Sequence, residues 1–311
     1  MSKSKVKPFE KKSVVRKAKK KSIDDQIEDL KQKYSAISQK KDPNFNRFDE
    51  MPLSEKTIAG LDDSELLFAT EIQKIAILPA LFGRDLIVQA LTGSGKTLCF
   101  VIPILECLFR NKITPLDGIV ALVITPTREL AHQISLVFSK ISKYHSFTII
   151  DAIGGRQNST MKAEWSAISQ ANIVIATPGR FVQHLLENSS LHLDNLKIFV
   201  LDEVDRILDP TFKENIDVIL ENIPPERQNL LYSATHKKNI IEKSKLNLED
   251  PLILSSLTEN SEEINSVKTP DSLLQFYSVL ERKDKLDFLF TFLQSHCKKK
   301  ILVFFSTQKE A

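Results

Sequence analysis

Three cysteines among 311 residues, Cys99, Cys107 and Cys297, are too few and too widely spaced to staple a fold. Their spacing matches neither a disulfide framework nor a zinc site, so the chain is expected in a reducing, intracellular compartment. Long apolar runs are missing too. No stretch approaches the length of a membrane span, and the N-terminus lacks the apolar core of a signal peptide, so no membrane partner is expected. The sequons Asn158-Ser159-Thr160 and Asn188-Ser189-Ser190 therefore carry no expectation of glycosylation. Net charge is small as well, only +3, against an ordinary globular composition of 42% apolar and 27% charged residues. That small total hides an uneven spread. Residues 1–21 carry ten Lys or Arg against one acid, Glu10, and sum to +9, so residues 22–311 sum to −6. A uniformly basic nucleic-acid surface is thereby excluded. The basic block at 1–22 reads either as an arm for nucleic acid or nuclear import, or as a solvated tail.

What is present begins with Ala90-Leu91-Thr92-Gly93-Ser94-Gly95-Lys96-Thr97. A short apolar run ending at Gln89 precedes it, and a helical pattern from Thr97 to Leu105 follows. Strand, glycine turn and helix are the setting of a P-loop. Gly93 and Gly95 let successive N–H groups converge on a phosphate, and the helix points its positive end the same way. Lys96 then reaches the β- and γ-phosphates, and the Thr97 hydroxyl is a ligand for Mg²⁺. ATP with Mg²⁺ is the expected ligand pair.

Along the chain, Ile23, Ile27, Leu30 and Tyr34 recur at helical spacing within 23–39, an amphipathic helix that either lies on the core or awaits a partner. Ser54 is placed to cap a helix running through Ile58 and Leu61. Ahead of the P-loop, the Gln73 amide is suited to an adenine edge, and Phe48 to stacking on the ring. From 85 to 254, strand-like runs (119–125, 147–152, 172–176, 197–201, 229–232) alternate with helical ones (128–143, 157–170, 178–187, 213–222). Such alternation predicts an α/β domain with a parallel sheet flanked by helices, its ligand loops at the strand C-terminal ends. The polar clusters fit that rule. Pro126-Thr127-Arg128-Glu129, Gly154-Gly155-Arg156, Thr177-Pro178-Gly179-Arg180, Asp202-Glu203-Val204-Asp205 and Ser233-Ala234-Thr235 each follow a strand. Asp202 at a strand end suits Mg²⁺, and Glu203 suits activation of an attacking water.

The set resembles the DEAD-box RNA helicases. That resemblance implies a RecA-like domain over 48–254, with Phe48 and Gln73 in the adenine-reading motif and Ala90–Thr97 as the phosphate loop. It implies Lys96, Asp202 and Glu203 as catalytic residues, and Asp205, Ser233 and Thr235 as the coupling between hydrolysis and RNA. Pro126, Thr127, Arg128, Glu129, Gly154, Gly155, Arg156, Thr177, Pro178, Gly179 and Arg180 would grip the RNA backbone. Within the family, Leu53–Thr57, Thr70–Gln73 and Arg206–Asp209 resemble a nucleolar group acting in small-subunit ribosome biogenesis. That group implies pre-ribosomal RNA and ribosome-assembly proteins as partners, in the nucleus and nucleolus. Departures are Val204 in the alanine position, Pro210-Thr211 in place of a hydrophobic-glycine pair, Ala69 for proline and Glu65 for glycine.

Residues 23–47 are expected as a pre-core helix and linker. After a polar linker, 255–272, residues 273–311 resemble the start of a second RecA-like domain, with a helix at 284–295 and a strand at 300–306. The arginine-bearing motif that completes the family's ATP site does not occur before Ala311, so little turnover is expected of these residues alone. The competing reading is a non-catalytic module that binds ATP and RNA.

Overall fold

The computed structural model describes residues 23–37, 45–153, 161–188, 191–234, 248–255 and 273–305. The chain divides into two compact units after Thr258. In the first, seven parallel strands form one sheet: β1 (Leu86–Gln89), β2 (Ala121–Ile124), β3 (Ile149–Ala152), β4 (Ile173–Ala176), β5 (Ile198–Leu201), β6 (Gln228–Ser233) and β7 (Leu252–Ser255), in the order β3-β4-β2-β5-β6-β1-β7. The strands β1, β2, β4 and β5 are buried at every position, as expected of near-continuous apolar runs covered on both faces. The two edge strands, β3 and β7, are only partly buried. The parallel sheet expected from the sequence is thus present, and it places the described strand-following motifs, at 126–129, 177–180, 202–205 and 233–234, on one rim with the P-loop.

Helices fill both faces: α1 (residues 23–37), α2 (Glu55–Asp63), α3 (Glu71–Leu81), α4 (Leu98–Arg110), α5 (Arg128–Ile141), α6 (Met161–Ser169), α7 (Pro178–Glu187), α8 (Val204–Ile207) and α9 (Pro210–Asn222). The amphipathic helix α1 lies on the core. Ile27, Leu30, Tyr34 and Ile37 are buried, and the Arg110 guanidinium sits 4.7 Å from the Tyr34 ring centroid. Ser54 caps α2 as its sequence position predicts, accepting from the Thr57 N–H. At the rim opposite the P-loop, the buried Asp85 carboxylate accepts from the Asn229 and Glu249 N–H groups, tying the start of β1 to the segments entering β6 and β7.

Several elements were not anticipated, β7 and α3 among them. The strand β7 is a four-residue edge run without β-branched alternation, defined only by its ladder to β1, with Leu86 opposite Leu252. The helix α3 does carry a legible signal: Thr70 and Gln73 form a reciprocal capping box at its start. Pro79 inside that helix obscures the pattern.

Three of the departures in the motifs find local explanations, and Ala69 has none. Val204 is wholly buried in the apolar cluster beneath β5, so its extra methyls fill the core and do not crowd the acids. Pro210 is the first residue of α9, where its fixed φ suits the helix start, and Asp209 caps it through the Thr211 N–H and hydroxyl. Glu65 adopts φ 57°, the left-handed conformation that glycine tolerates best.

The second unit contains a 3₁₀ turn (Arg282–Asp284) and helix α10 (Lys285–Ser295), as expected. The strand expected at 300–306 is not formed among its described residues, 300–305. A strand exists only through hydrogen bonds to a neighbour, and the described residues of this unit include none.

Candidate nucleotide site and nucleic-acid cleft

The P-loop follows β1 directly. The Ala90 N–H donates to the Ser233 carbonyl at 3.1 Å, so the strand end carrying the candidate coupling serine also fixes where the loop begins. Gly93 and Gly95 have φ of +79° and +91°, conformations closed to most other residues. The Ser94 N–H and hydroxyl turn back onto the Leu91 carbonyl, while Leu91, Thr92 and Gly93 form the exposed outer arc. Thr97 already has helical φ and ψ and leads into α4.

Lys96 is 92% buried and folded inward. Its ammonium donates to the Ala90 carbonyl at 3.0 Å and lies 3.6 Å from Glu203 Oε1. The loop's cation is therefore paired with the candidate water-activating acid, although β6 separates β1 from β5 in the sheet. Glu203 sits in the left-handed region, φ 54° and ψ 50°. A glutamate there is strained, and such strain concentrates at functional positions. Asp202, at the end of β5, is buried. Burial first, and the Glu203 charge second, push its carboxyl up to about 6, partly offset by Lys96. Thr97 and Asp202 offer hard oxygen ligands only, the chemistry that suits Mg²⁺ held largely by phosphates and water. Asp205, further along, accepts from the Arg206 N–H at 3.1 Å.

Because Asp202 must be ionised to hold a divalent cation, Mg²⁺-dependent nucleotide affinity should fall as pH drops through about 6, well above the ordinary aspartate range. Titration calorimetry with Mg²⁺–ATP between pH 5 and 8 should show this fall. Asp202→Asn should remove it; an unchanged profile in that variant would assign the proton elsewhere.

Gln73 lies on α3 and is buried. Its Oε1 accepts from the Thr70 N–H at 2.8 Å, and its Nε2 donates to the Gly95 carbonyl at 2.9 Å. The Thr70 hydroxyl donates to the Ser94 carbonyl at 2.8 Å. The glutamine expected to read adenine is thus also a brace for the P-loop, with one N–H and one lone pair left for a base. Phe48 is different. It is 2% exposed and packed in the main core, so it presents no ring face for stacking. The signal for that difference lies in packing, which a lone aromatic in a sequence does not disclose.

Along the same rim, Pro126, Thr127, Arg128, Glu129, Thr177, Gly179 and Arg180 line one cleft of 580 Å³. Two helices begin in it: Thr127 caps α5 through the Leu130 N–H, and Pro178 opens α7. Arg180 is held by Glu164 and by Gln183 Oε1, the latter at 2.7 Å. Three further lining residues escaped the sequence reading: Ile153, Gln183 and Phe212. Gln183 was within reach, one helical turn after Arg180 and on its face. Phe212 lies in the first turn of α9, which Pro210 opens. Gly154, Gly155, Arg156 and Thr235 lie outside the described residues, as does the basic segment 1–22.

A family model described as DEAD/DEAH box helicase matches residues 70–243, more than half of the chain. The chain belongs to the DEAD-box helicase family. Family relatives include the ATP-dependent RNA helicase DBP4 of Yarrowia lipolytica, 47% identical over 292 residues, which cover 91% of this chain and 38% of that protein. Another is the probable ATP-dependent RNA helicase DDX10 of Mus musculus, 43% identical over 284 residues, 91% of this chain and 31% of the relative. The chain therefore spans about a third of the length of these relatives. Among solved structures, a DEAD box protein from the hyperthermophile Methanococcus jannaschii superposes with a TM-score of 0.62 at 27% identity, covering 81% of this chain and 64% of that one. The DEAD-box assignment accounts for the P-loop, the paired acids and the cleft lying together on one sheet edge. Among the described residues no helix is long and apolar enough to cross a membrane.

Proposed function

We propose that this chain supplies the ATP-binding and RNA-gripping lobe of an RNA helicase that couples ATP hydrolysis to local duplex opening. The observation that carries the reading is the common rim. The nucleotide loop after β1 and the 580 Å³ cleft after β2 and β4 are built on the ends of one sheet, and β5, which carries Asp202 and Glu203 at its end, lies between them beside β2. Lys96 would leave Glu203 for the β- and γ-phosphates, and Thr97 with Asp202 would hold Mg²⁺. The cation would neutralise charge on the transferring phosphate. Glu203, released from Lys96, would accept the proton of the attacking water. Backbone and Thr or Arg side chains in the cleft favour phosphate and ribose over base edges, which makes for sequence-tolerant binding. Pre-ribosomal RNA, ribosome-assembly proteins and a nucleolar location complete the proposal, supported by the likeness to the relatives above.

Fluorescence anisotropy tests the two ligands separately. The purified chain should bind labelled single-stranded RNA of differing sequence with similar affinity and a steep salt dependence. It should also bind a fluorescent ATP analogue. Lys96→Ala should lose the nucleotide and keep the RNA. Absence of either ligand in the wild-type chain would refute the proposal.

A further inference from the structure

One carboxylate behind the cleft has no part in the scheme so far. Glu164, on α6, does not line the cleft, and its side chain is only 12% exposed. One of its oxygens pairs with Arg180 Nη2, and the other lies 3.4 Å from Nε2 of His184, a fully buried residue one turn along α7. Gln183 Oε1 takes Nη1 of the same arginine at 2.7 Å, and Gln183 in turn donates to Glu187 at 3.2 Å. Two of the three guanidinium nitrogens are thereby pinned, while Nε is buried without a hydrogen-bond partner.

We propose that Glu164 is a positioning residue, which holds the Arg180 guanidinium in the attitude that presents it to an RNA phosphate. The inference rests on the RNA reading of the cleft. Its strength lies in a sign. An acid beside an anion-binding cleft repels RNA, so removing its charge should tighten binding unless the acid does something more valuable. Aim is that contribution: an arginine fixed in advance loses less freedom when it meets phosphate.

The test is anisotropy titration of fluorescein-labelled oligouridine at several salt concentrations, using the whole chain. Glu164→Gln should weaken binding about tenfold, the equivalent of one charge-assisted hydrogen bond. Its salt slope should shrink by about 0.7, one phosphate contact on a single strand. Glu164→Asp keeps the charge but withdraws it by one methylene, and should give a smaller loss of the same kind. In a double-mutant cycle, Glu164→Gln combined with Arg180→Ala should bind no more weakly than Arg180→Ala alone. Nucleotide binding should not move. Tighter binding by Glu164→Gln, an unchanged salt slope, or additive losses in the cycle would overturn the proposal. Failure of the wild-type chain to bind oligouridine would instead remove the reading beneath it.

Discussion

Gly95→Ala should cost about 100-fold in ATP affinity while leaving the fold intact. Two effects add. The φ of +91° is one that alanine adopts only under strain, about 1–3 kcal/mol. An added Cβ would also lie 2.4 Å from Gln73 Nε2 and 3.3 Å from the Thr70 hydroxyl. The amide can retreat, since it ends a flexible side chain, but only by giving up the Gly95 carbonyl inside a buried site. A buried amide left without its partner costs about 1–3 kcal/mol. Together these come to about 2–6 kcal/mol, a range that includes the roughly 2.7 kcal/mol a 100-fold loss represents. Gly118→Ala is the control, because its φ is +68° yet nothing lies within 4 Å of the added carbon. Equilibrium titration of both variants with a fluorescent ATP analogue decides the matter. Comparable losses in the two would show that backbone strain at large, and not the brace to Gln73, governs the loop.

Gly60→Ala should be the more damaging to stability. Helix α2 crosses the end of α5 at this residue, and a Cβ would stand 2.0 Å from the Ile141 carbonyl oxygen and 2.8 Å from its carbon. Both are backbone atoms of an adjoining helix, so no rotamer change relieves the overlap. The helices must part, exposing Leu61 and Ile141, each at most 1% accessible. Overpacking of this kind costs about 3 kcal/mol, equivalent to a fall of about 6–12 °C in Tm for a domain of this size. A melting curve checks it. A fall under about 2 °C would mean that the two helices do not meet as closely as described.

Neither glycine could have been distinguished from the other six by sequence alone, beyond the membership of Gly95 in a motif. The sheet was legible because its strands are short apolar runs separated by helical periodicity, and the P-loop because Gly-Lys-Thr is framed by such a strand and helix. Asp202 and Glu203 were legible for the same reason. The brace formed by Gln73 and Thr70 was half legible: the residue pair is a capping box, but its contact with Gly95 spans 22 positions and depends on how α3 packs on α4. Phe48 misled because an upstream aromatic reads the same whether it faces a ligand or the core. Glu164 was invisible, for its meaning comes only from the Arg180 and His184 that another helix brings to it.

The pairing of Lys96 with Glu203 has a consequence for what this site ignores. A bare lysine in a loop built for phosphate would collect whatever small anion a cell offers. Here the charge already has a resident counter-ion at 3.6 Å, and both side chains are largely buried. A lone inorganic phosphate must compete with that carboxylate for the ammonium, and it would leave the largely buried Glu203 repelled and unpaired from Lys96 if it succeeded. A polyphosphate chelated to a divalent cation meets the same barrier with more in hand, since its cation can draw on Asp202 while its oxygens take the lysine. On the proposed nucleotide reading, the ion pair would act as a threshold that a lone orthophosphate meets less well than a metal-chelated polyphosphate.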